Sequence, residues 1–160
     1  MLIRVANVVQ DSIVDGPGMR LVVFTQGCPH HCPGCHNPET HDFNGGLLMD
    51  TAEIIAMMNA NPLLDGITLS GGEPFCQPEA CMVLAEAAHQ RGLNVWCYTG
   101  FTQEELLQTC DWDVYELLKH IDVLIDGPYM EKLRTLSLSW RGSTNQRLIY
   151  LSGCYGRNDE

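Results

Sequence analysis

Three cysteines crowd into one short segment of the chain. Cys28, Cys32 and Cys35 are spaced C-x3-C-x2-C, and the prolines and the glycine between them favour an irregular loop. Three thiolates from one loop can converge on a single soft metal centre. The residues alone leave three interpretations open: unligated thiols, a [4Fe–4S] cluster with one iron left open to a ligand, or structural zinc completed by His30, His31 or His36.

A glycine-rich turn is the second segment that could carry chemistry. Ser70-Gly71-Gly72-Glu73-Pro74 follows an apolar run and precedes a helical pattern. Glycine permits positive φ and lets bare backbone approach a ligand, and a carboxylate beside exposed carbonyls suits an ammonium group. A phosphate-binding loop is excluded, because no Gly-Lys-Ser/Thr follows. A plain turn between strand and helix remains the alternative.

Polar residues also end two later strands. Thr99-Gly100 and Asp126-Gly127 each close an apolar run. Asp126 could bond a ribose hydroxyl or a ligand amino group, although aspartate is also a common turn former. Trp96 and Tyr98 alternate on one strand face and could either flank an adenine ring or belong to the core.

The cysteine spacing after a buried strand, together with Gly-Gly-Glu, resembles the radical S-adenosylmethionine superfamily. The resemblance implies a [4Fe–4S] cluster on the three cysteines, with the amino and carboxylate groups of S-adenosylmethionine on its open iron. Gly34 departs from the superfamily pattern, in which an aromatic residue usually precedes the third cysteine, so other groups must help to hold adenine. The implied cofactor-binding residues are Gly34, His36, Asn37, Gly71, Gly72, Glu73, Pro74, Thr99 and Asp126.

Two more segments narrow the resemblance. Asp15-Gly16-Pro17-Gly18-Met19-Arg20 is similar to the D-G-x-G-x-R entry of glycyl-radical activating enzymes, and the segment from Trp140 to Arg147 resembles the W-R-G-S-x-N-Q of activases of the anaerobic ribonucleotide reductase. The likeness extends from about Asp11 to Leu151. It implies reductive cleavage of S-adenosylmethionine to a 5′-deoxyadenosyl radical, which takes hydrogen from a glycine of the reductase large subunit. It also implies a low-potential electron donor such as flavodoxin.

Other functions remain open at this point. A pyruvate formate-lyase activase is usually longer, and a 7-carboxy-7-deazaguanine synthase lacks the W-R-G-S-x-N-Q segment. A zinc-binding module or a redox-sensing cysteine protein would need no S-adenosylmethionine. Metal analysis separates the zinc module from the iron–sulfur enzymes.

The composition is ordinary for a globular protein, with the cytoplasm as the expected compartment. The 160 residues carry 20 acidic and nine basic side chains, for a net charge of -11, which disfavours nucleic-acid binding. Apolar runs such as Leu21 to Phe24 are far too short to cross a bilayer, and no signal peptide is recognisable. Eight cysteines without a secretion signal favour metal-binding thiols over a disulfide framework.

The sequence pattern predicts an α/β fold. Strands are expected over 2–10, 20–26, 66–69, 93–98 and 121–125, with a further one at 148–151, and a loop over 27–46. Helices are expected from Thr51 as N-cap, over 78–91, and once or twice within 102–119. This alternation implies parallel strands with crossover helices and ligands at their carboxyl ends. Four or five units cannot close an eight-fold barrel of roughly 250 residues. We therefore expect a partial, open barrel in one domain, residues 1–155, with a flexible tail at 156–160.

Overall fold

A seven-stranded mixed sheet forms the centre of the structure, a computed structural model that describes residues 1–151. The strands are Leu2–Ser12 (β1), Arg20–Thr25 (β2), Leu47–Asp50 (β3), Gly66–Gly71 (β4), Asn94–Tyr98 (β5), Val123–Asp126 (β6) and Arg147–Tyr150 (β7). The helices are Thr51–Ala60 (α1), Pro78–Gln90 (α2), Gln103–Leu107 (α3) and Trp112–Lys119 (α4). The strand order is β3-β1-β2-β4-β5-β6-β7, and the two ends of the sheet do not pair.

Four neighbouring strands are parallel. β2 pairs with β4, β4 with β5, and β5 with β6, and helices make the crossovers between them. Their carboxyl ends therefore meet along one edge of the sheet. The predicted α/β class, a partial, open barrel of parallel strands with crossover helices, agrees with this open sheet and is confirmed.

The outer strands run the other way. β1 pairs antiparallel with β2 and β3, and β7 pairs antiparallel with β6. The sequence predicted strands near β1 and β7 without their direction, and it did not predict β3. This strand lies at the sheet edge with Leu47 and Leu48 both exposed, so it lacks the alternation of buried and exposed residues by which strands are recognised.

The two faces of the sheet bury different side chains. Val23, Leu69, Cys97 and Leu124 belong to the large core cluster that also contains side chains of the helices. A smaller cluster contains Trp96, Val123 and Ile125, with Tyr98, Trp140 and Leu148 packed against it. Trp96 is therefore a core residue.

The helix starts follow local capping chemistry. Asp50, and not the predicted Thr51, is the N-cap of α1, since its carboxylate accepts from the Ala52 N–H at 3.0 Å. Glu53 completes a capping box by accepting from the Asp50 N–H at 3.1 Å. α2 begins at Pro78, as the sequence indicated.

Within residues 1–151, no helix combines the length and the hydropathy that a membrane crossing demands. The predicted domain boundary at 155 and the predicted tail at 156–160 lie outside the described residues.

Candidate functional site

A cavity of about 600 Å³ opens at the carboxyl edge of the parallel strands. This volume is typical of small-molecule sites. The structure brings together eight of the residues expected at the site, namely Cys28, Cys32, Cys35, His36, Asn37, Gly71, Gly72 and Thr99. Four others do not line the cavity, namely Gly34, Glu73, Pro74 and Asp126.

The cysteine loop, residues 27–41, is closed at its base by backbone hydrogen bonds. The Gly27 N–H donates to the Thr40 carbonyl at 2.7 Å, and the Cys28 N–H donates to the His41 carbonyl at 3.2 Å. Between them the chain turns tightly, with the Cys35 N–H donating to the Cys32 carbonyl at 3.1 Å. Gly34 in this turn has φ +75°, a backbone conformation that strains residues with a Cβ.

The three thiols share a partly dehydrated environment. Burial raises the pKa of Cys28, and repulsion from Glu73, Cys32 and Cys35 adds to the effect. Burial also raises the pKa of Cys32, while Cys35 Sγ accepts from the Asn37 N–H at 3.4 Å. A cationic centre would relieve this unfavourable charging, because metal-bound thiols are held as thiolates. The donor set and the cavity therefore fit a metal–sulfur cluster.

The zinc interpretation gains no geometric support. In the part of the chain that the structure describes, no group of three or more His, Cys, Asp or Glu side chains, the three cysteines included, is arranged to hold a single metal ion. A four-iron cluster is a larger body whose protein ligands surround it, and a cavity shared by three thiols offers that kind of space.

The Gly-Gly-Glu turn docks on the start of the cysteine loop, backbone against backbone. The Gly72 N–H donates to the Thr25 carbonyl and the Glu73 N–H to the Gly27 carbonyl, both at 2.8 Å. Gly71 has φ +89°, and a Cβ there would lie 2.6 Å from the Thr25 nitrogen. A Cβ on Gly72 would lie 2.4 Å from the Gly27 carbonyl oxygen. Only glycine fits at these two positions without a shift of the backbone.

Glu73 is fully buried and its carboxylate is already occupied. Oε2 accepts from the Phe75 N–H at 3.1 Å and from Thr99 Oγ1 at 2.8 Å. Oε1 accepts from the Gly100 N–H at 2.8 Å and lies 2.6 Å from His30 Nε2. A carboxylate has about four acceptor positions, so contact between Glu73 and a ligand ammonium stays a prediction. Pro74 is also buried and begins the short 3-10 turn Pro74–Cys76.

Asp126 is absent from the described lining of the cavity and is bonded to other protein groups. Its buried carboxylate accepts from the Gln103 N–H at 2.7 Å, at the start of α3, and forms a two-pronged ion pair with Arg147 of β7. Arg147 also donates to Glu104 at 2.7 Å, and the bonds to Asp126 and Glu104 raise the Arg147 pKa. The geometry gives Asp126 a structural tie between three elements, and its predicted contact with cofactor stays untested.

The Trp140–Arg147 segment folds over the turn that follows β6. Asn145 Nδ2 donates to the Pro128 carbonyl at 2.8 Å, and Gln146 Nε2 donates to the Gly127 carbonyl at 3.1 Å. Ser143 Oγ accepts from the Met130 N–H at 3.2 Å. These polar side chains therefore hold the loop in place. Trp140 and Arg141 line the cavity, and Arg141 is the one Lys or Arg in its described lining.

Arg20 has a structural position. It is fully buried, with Nε donating to Thr68 Oγ1 and Nη2 to the Ile67 carbonyl, each at 2.8 Å. The guanidinium also lies 5.5 Å from the centroid of Trp96, and burial lowers its pKa to about 10. It joins the amino ends of β2 and β4, away from the cysteine loop.

Some lining residues were not predicted as cofactor contacts, among them His30, His41 and Tyr129. The sequence indicated His30 only as a fourth zinc ligand. Its position between Cys28 and Cys32 was the available signal. Nothing in the sequence marks His41 or Tyr129 as residues of the site.

Comparisons with known proteins find relatives over most of the chain. A family model described as a 4Fe-4S single cluster domain matches residues 14–149. An anaerobic ribonucleoside-triphosphate reductase-activating protein of Enterobacteria phage T4 is 38% identical, over 84% of this chain and 86% of that protein. The proteins of that name from Salmonella typhimurium and Escherichia coli K12 are each 37% identical, over 87% of this chain and 93% of theirs. The crystal structure of QueE from Escherichia coli is a distant match, with a TM-score of 0.49 and 14% identity over 64% of this chain and 54% of that one.

Proposed function

Because the chain belongs to the family of anaerobic ribonucleoside-triphosphate reductase-activating proteins, we propose that it installs a glycyl radical in an anaerobic ribonucleotide reductase. A bound [4Fe–4S] cluster supplies the electron that cleaves S-adenosylmethionine reductively, and the cleavage supplies the radical that removes hydrogen from a glycine. The observation that carries the proposal is the meeting of three cysteines and the Gly-Gly turn in one cavity.

We assign the cluster to the three cysteines and the cofactor to the rest of the cavity wall. Gly71 and Gly72 let the backbone approach the methionine part of the cofactor. Arg141 is placed to bind a carboxylate, because it faces the cavity and its guanidinium has a described bond only to the Ser139 carbonyl, at 3.4 Å. The chain has Gly34, and so no aromatic side chain, directly before the third cysteine. Tyr98 and Trp140 line the cavity and offer aromatic faces for adenine instead.

The open side of the cavity suits a protein substrate. Val14 and Leu136 line the cavity although they are 74% and 90% exposed, so its rim is apolar and accessible. Exposed apolar residues beside a functional cavity are typical of surfaces that bind other proteins. We propose that a glycine-bearing loop of the reductase large subunit enters here.

The electron has to come from outside the chain. The sequence holds one C-x3-C-x2-C triplet and no second cluster motif. We propose a low-potential protein such as flavodoxin as the donor, and the cytoplasm as the compartment where donor, activase and reductase meet.

The test mixes anaerobically reconstituted protein, reductant, S-adenosylmethionine and the reductase without oxygen. An electron paramagnetic resonance (EPR) doublet should form on the reductase and should disappear when its radical glycine is replaced by alanine. A radical on pyruvate formate-lyase, with none on the reductase, would show a different glycyl-radical partner. Activity restored to the apo-protein by zinc instead of iron would overturn the proposal altogether.

A further inference from the structure

His30 joins the middle of the cysteine loop to the Gly-Gly-Glu turn. The residue lies between Cys28 and Cys32 in the sequence. Its ring Nε2 is 2.6 Å from Glu73 Oε1. The ring packs edge-to-face on Phe101 at 4.5 Å between centroids. A Cβ on Gly100 would lie 2.4 Å from His30 Cδ2, so the ring rests directly on the Gly100 backbone. These contacts fix both the position and the orientation of the ring.

Glu73 gathers its donors from three separate segments. They come from its own 3-10 turn through Phe75, from the end of β5 through Thr99 and Gly100, and from the cysteine loop through His30. A buried carboxylate is costly unless it is hydrogen-bonded. The side chain of Glu73 is 0% exposed and that of His30 is 15% exposed, so water cannot readily replace a lost partner. The carboxylate therefore holds His30 in place.

The remaining contacts of the loop explain why this tie matters. The base of the loop is fixed by the Gly27 and Cys28 backbone bonds. The Cys32–Cys35 turn is bonded within itself, and its contacts with Tyr129 are a backbone hydrogen bond to the Cys32 thiol and a ring contact through His36. His30 lies between these two parts. Its side chain joins the loop to Glu73 of the Gly-Gly-Glu turn, the same turn that is bonded to Gly27 at the base of the loop.

We propose that the His30–Glu73 pair positions the cysteine loop so that Cys28 and Cys32 face the same cluster site. This inference rests on the proposed iron–sulfur function and extends it. Glu73 then serves cluster assembly through His30, and not only the binding of S-adenosylmethionine. His30 is a positioning residue, since it holds the loop and need not touch iron.

The test compares three variants of the full-length chain during anaerobic reconstitution with iron and sulfide. In His30→Ala, we expect iron incorporation to be about tenfold slower, the factor that corresponds to the loss of one hydrogen bond to a charged group. In His30→Gln, the carboxamide can donate to Glu73, so loading and the EPR spectrum of the reduced cluster should be largely restored. His31→Asn is the matched control, because His31 is exposed with φ +49°, which asparagine tolerates.

Wild-type loading in His30→Ala would overturn the proposal. If that variant also bound S-adenosylmethionine more tightly, His30 would be shown merely to cover Glu73. If His30→Ala does not fold, Gly100→Ala becomes the test, because its methyl group pushes the His30 ring away while the histidine is kept. This variant should incorporate iron as slowly as is expected for His30→Ala. Iron loading is measured without the reductase, so the two proposals can fail separately. If the variants load iron as expected but the wild-type protein forms no glycyl radical on the reductase, only the proposed function is contradicted.

Discussion

Replacing Gly72 with alanine would drive a methyl group into the backbone that leads to the first cysteine. The new Cβ would lie 2.4 Å from the Gly27 carbonyl oxygen, 2.9 Å from its carbon and 3.0 Å from the Thr25 carbonyl oxygen. All three are backbone atoms, so no side chain can rotate away. Ordinary contact begins near 3.4 Å, and the Gly-Gly-Glu turn must therefore move by about 1 Å relative to the cysteine loop.

The size of the effect follows from this displacement. Overpacking of a closely packed site costs about 1–3 kcal/mol in the free energy of unfolding. A misplacement of about 1 Å in a reacting site can lower the rate about a hundredfold. We expect Gly72→Ala to unfold at a lower urea concentration than the wild-type protein. Its rate of S-adenosylmethionine cleavage should fall by about one to two orders of magnitude. The assay is the release of 5′-deoxyadenosine from dithionite-reduced, iron-loaded protein.

Gly92→Ala is the matched control for this substitution. Gly92 has φ +74° and no atom within 4 Å of its would-be Cβ, so alanine there strains the backbone without any steric conflict. It should cost about 1 kcal/mol of stability and leave cofactor cleavage intact, because it follows α2 far from the cavity. Cleavage by Gly72→Ala at the rate of the Gly92→Ala control would refute the idea that backbone docking positions the site.

Three further changes test other parts of the site. Replacing Cys28, Cys32 or Cys35 with alanine should reduce the iron bound after reconstitution from about four per chain to a small remainder. Full retention of iron would remove that residue from the proposed ligand set. Arg147→Ala should lower the free energy of unfolding by about 2 kcal/mol, because the buried Asp126 loses its charged partner. Solvent screening at the half-exposed Arg147 keeps the contribution of this ion pair from being larger. A loss of S-adenosylmethionine affinity without a loss of stability would instead favour Asp126 as a cofactor contact. Desolvation, with repulsion from Glu73 and Cys28, raises the pKa of Cys76 to about 11, so its alkylation in the apo-protein should accelerate roughly tenfold per pH unit from pH 8 to 10. A plateau below pH 9 in peptide mapping by mass spectrometry would contradict that environment.

The parallel strands could be predicted from the sequence because strands buried on both faces consist of short apolar runs. β2, β4, β5 and β6 are short apolar runs that end in glycine-containing polar motifs, and each was placed within three residues of its observed bounds. β3 escaped because its residues are mostly exposed. The N-cap of α1 was misplaced by one residue, since Asp50 and Thr51 are both good caps and only the geometry shows which side chain accepts.

Sequence motifs also predicted which segments meet, but not how their side chains are used. The cysteines, Gly71 and Gly72 line one cavity because the ends of parallel strands converge. Glu73 and Asp126 follow the same strand ends, yet their carboxylates bond protein donors beside the cavity. Whether a carboxylate faces a ligand or a neighbouring turn depends on side-chain rotamers and partners distant in sequence, which residue spacing does not specify.

The fate of a single hydrogen atom tests the central claim most directly. The reductase would be prepared with glycine deuterated at Cα and incubated anaerobically with the iron-loaded activase, reductant and unlabelled S-adenosylmethionine. If the chain generates the radical that removes hydrogen from the reductase glycine, mass spectrometry should find deuterium in the 5′-deoxyadenosine released. Formation of 5′-deoxyadenosine without deuterium, while the reductase gains its radical, would contradict direct hydrogen transfer and with it the proposed function.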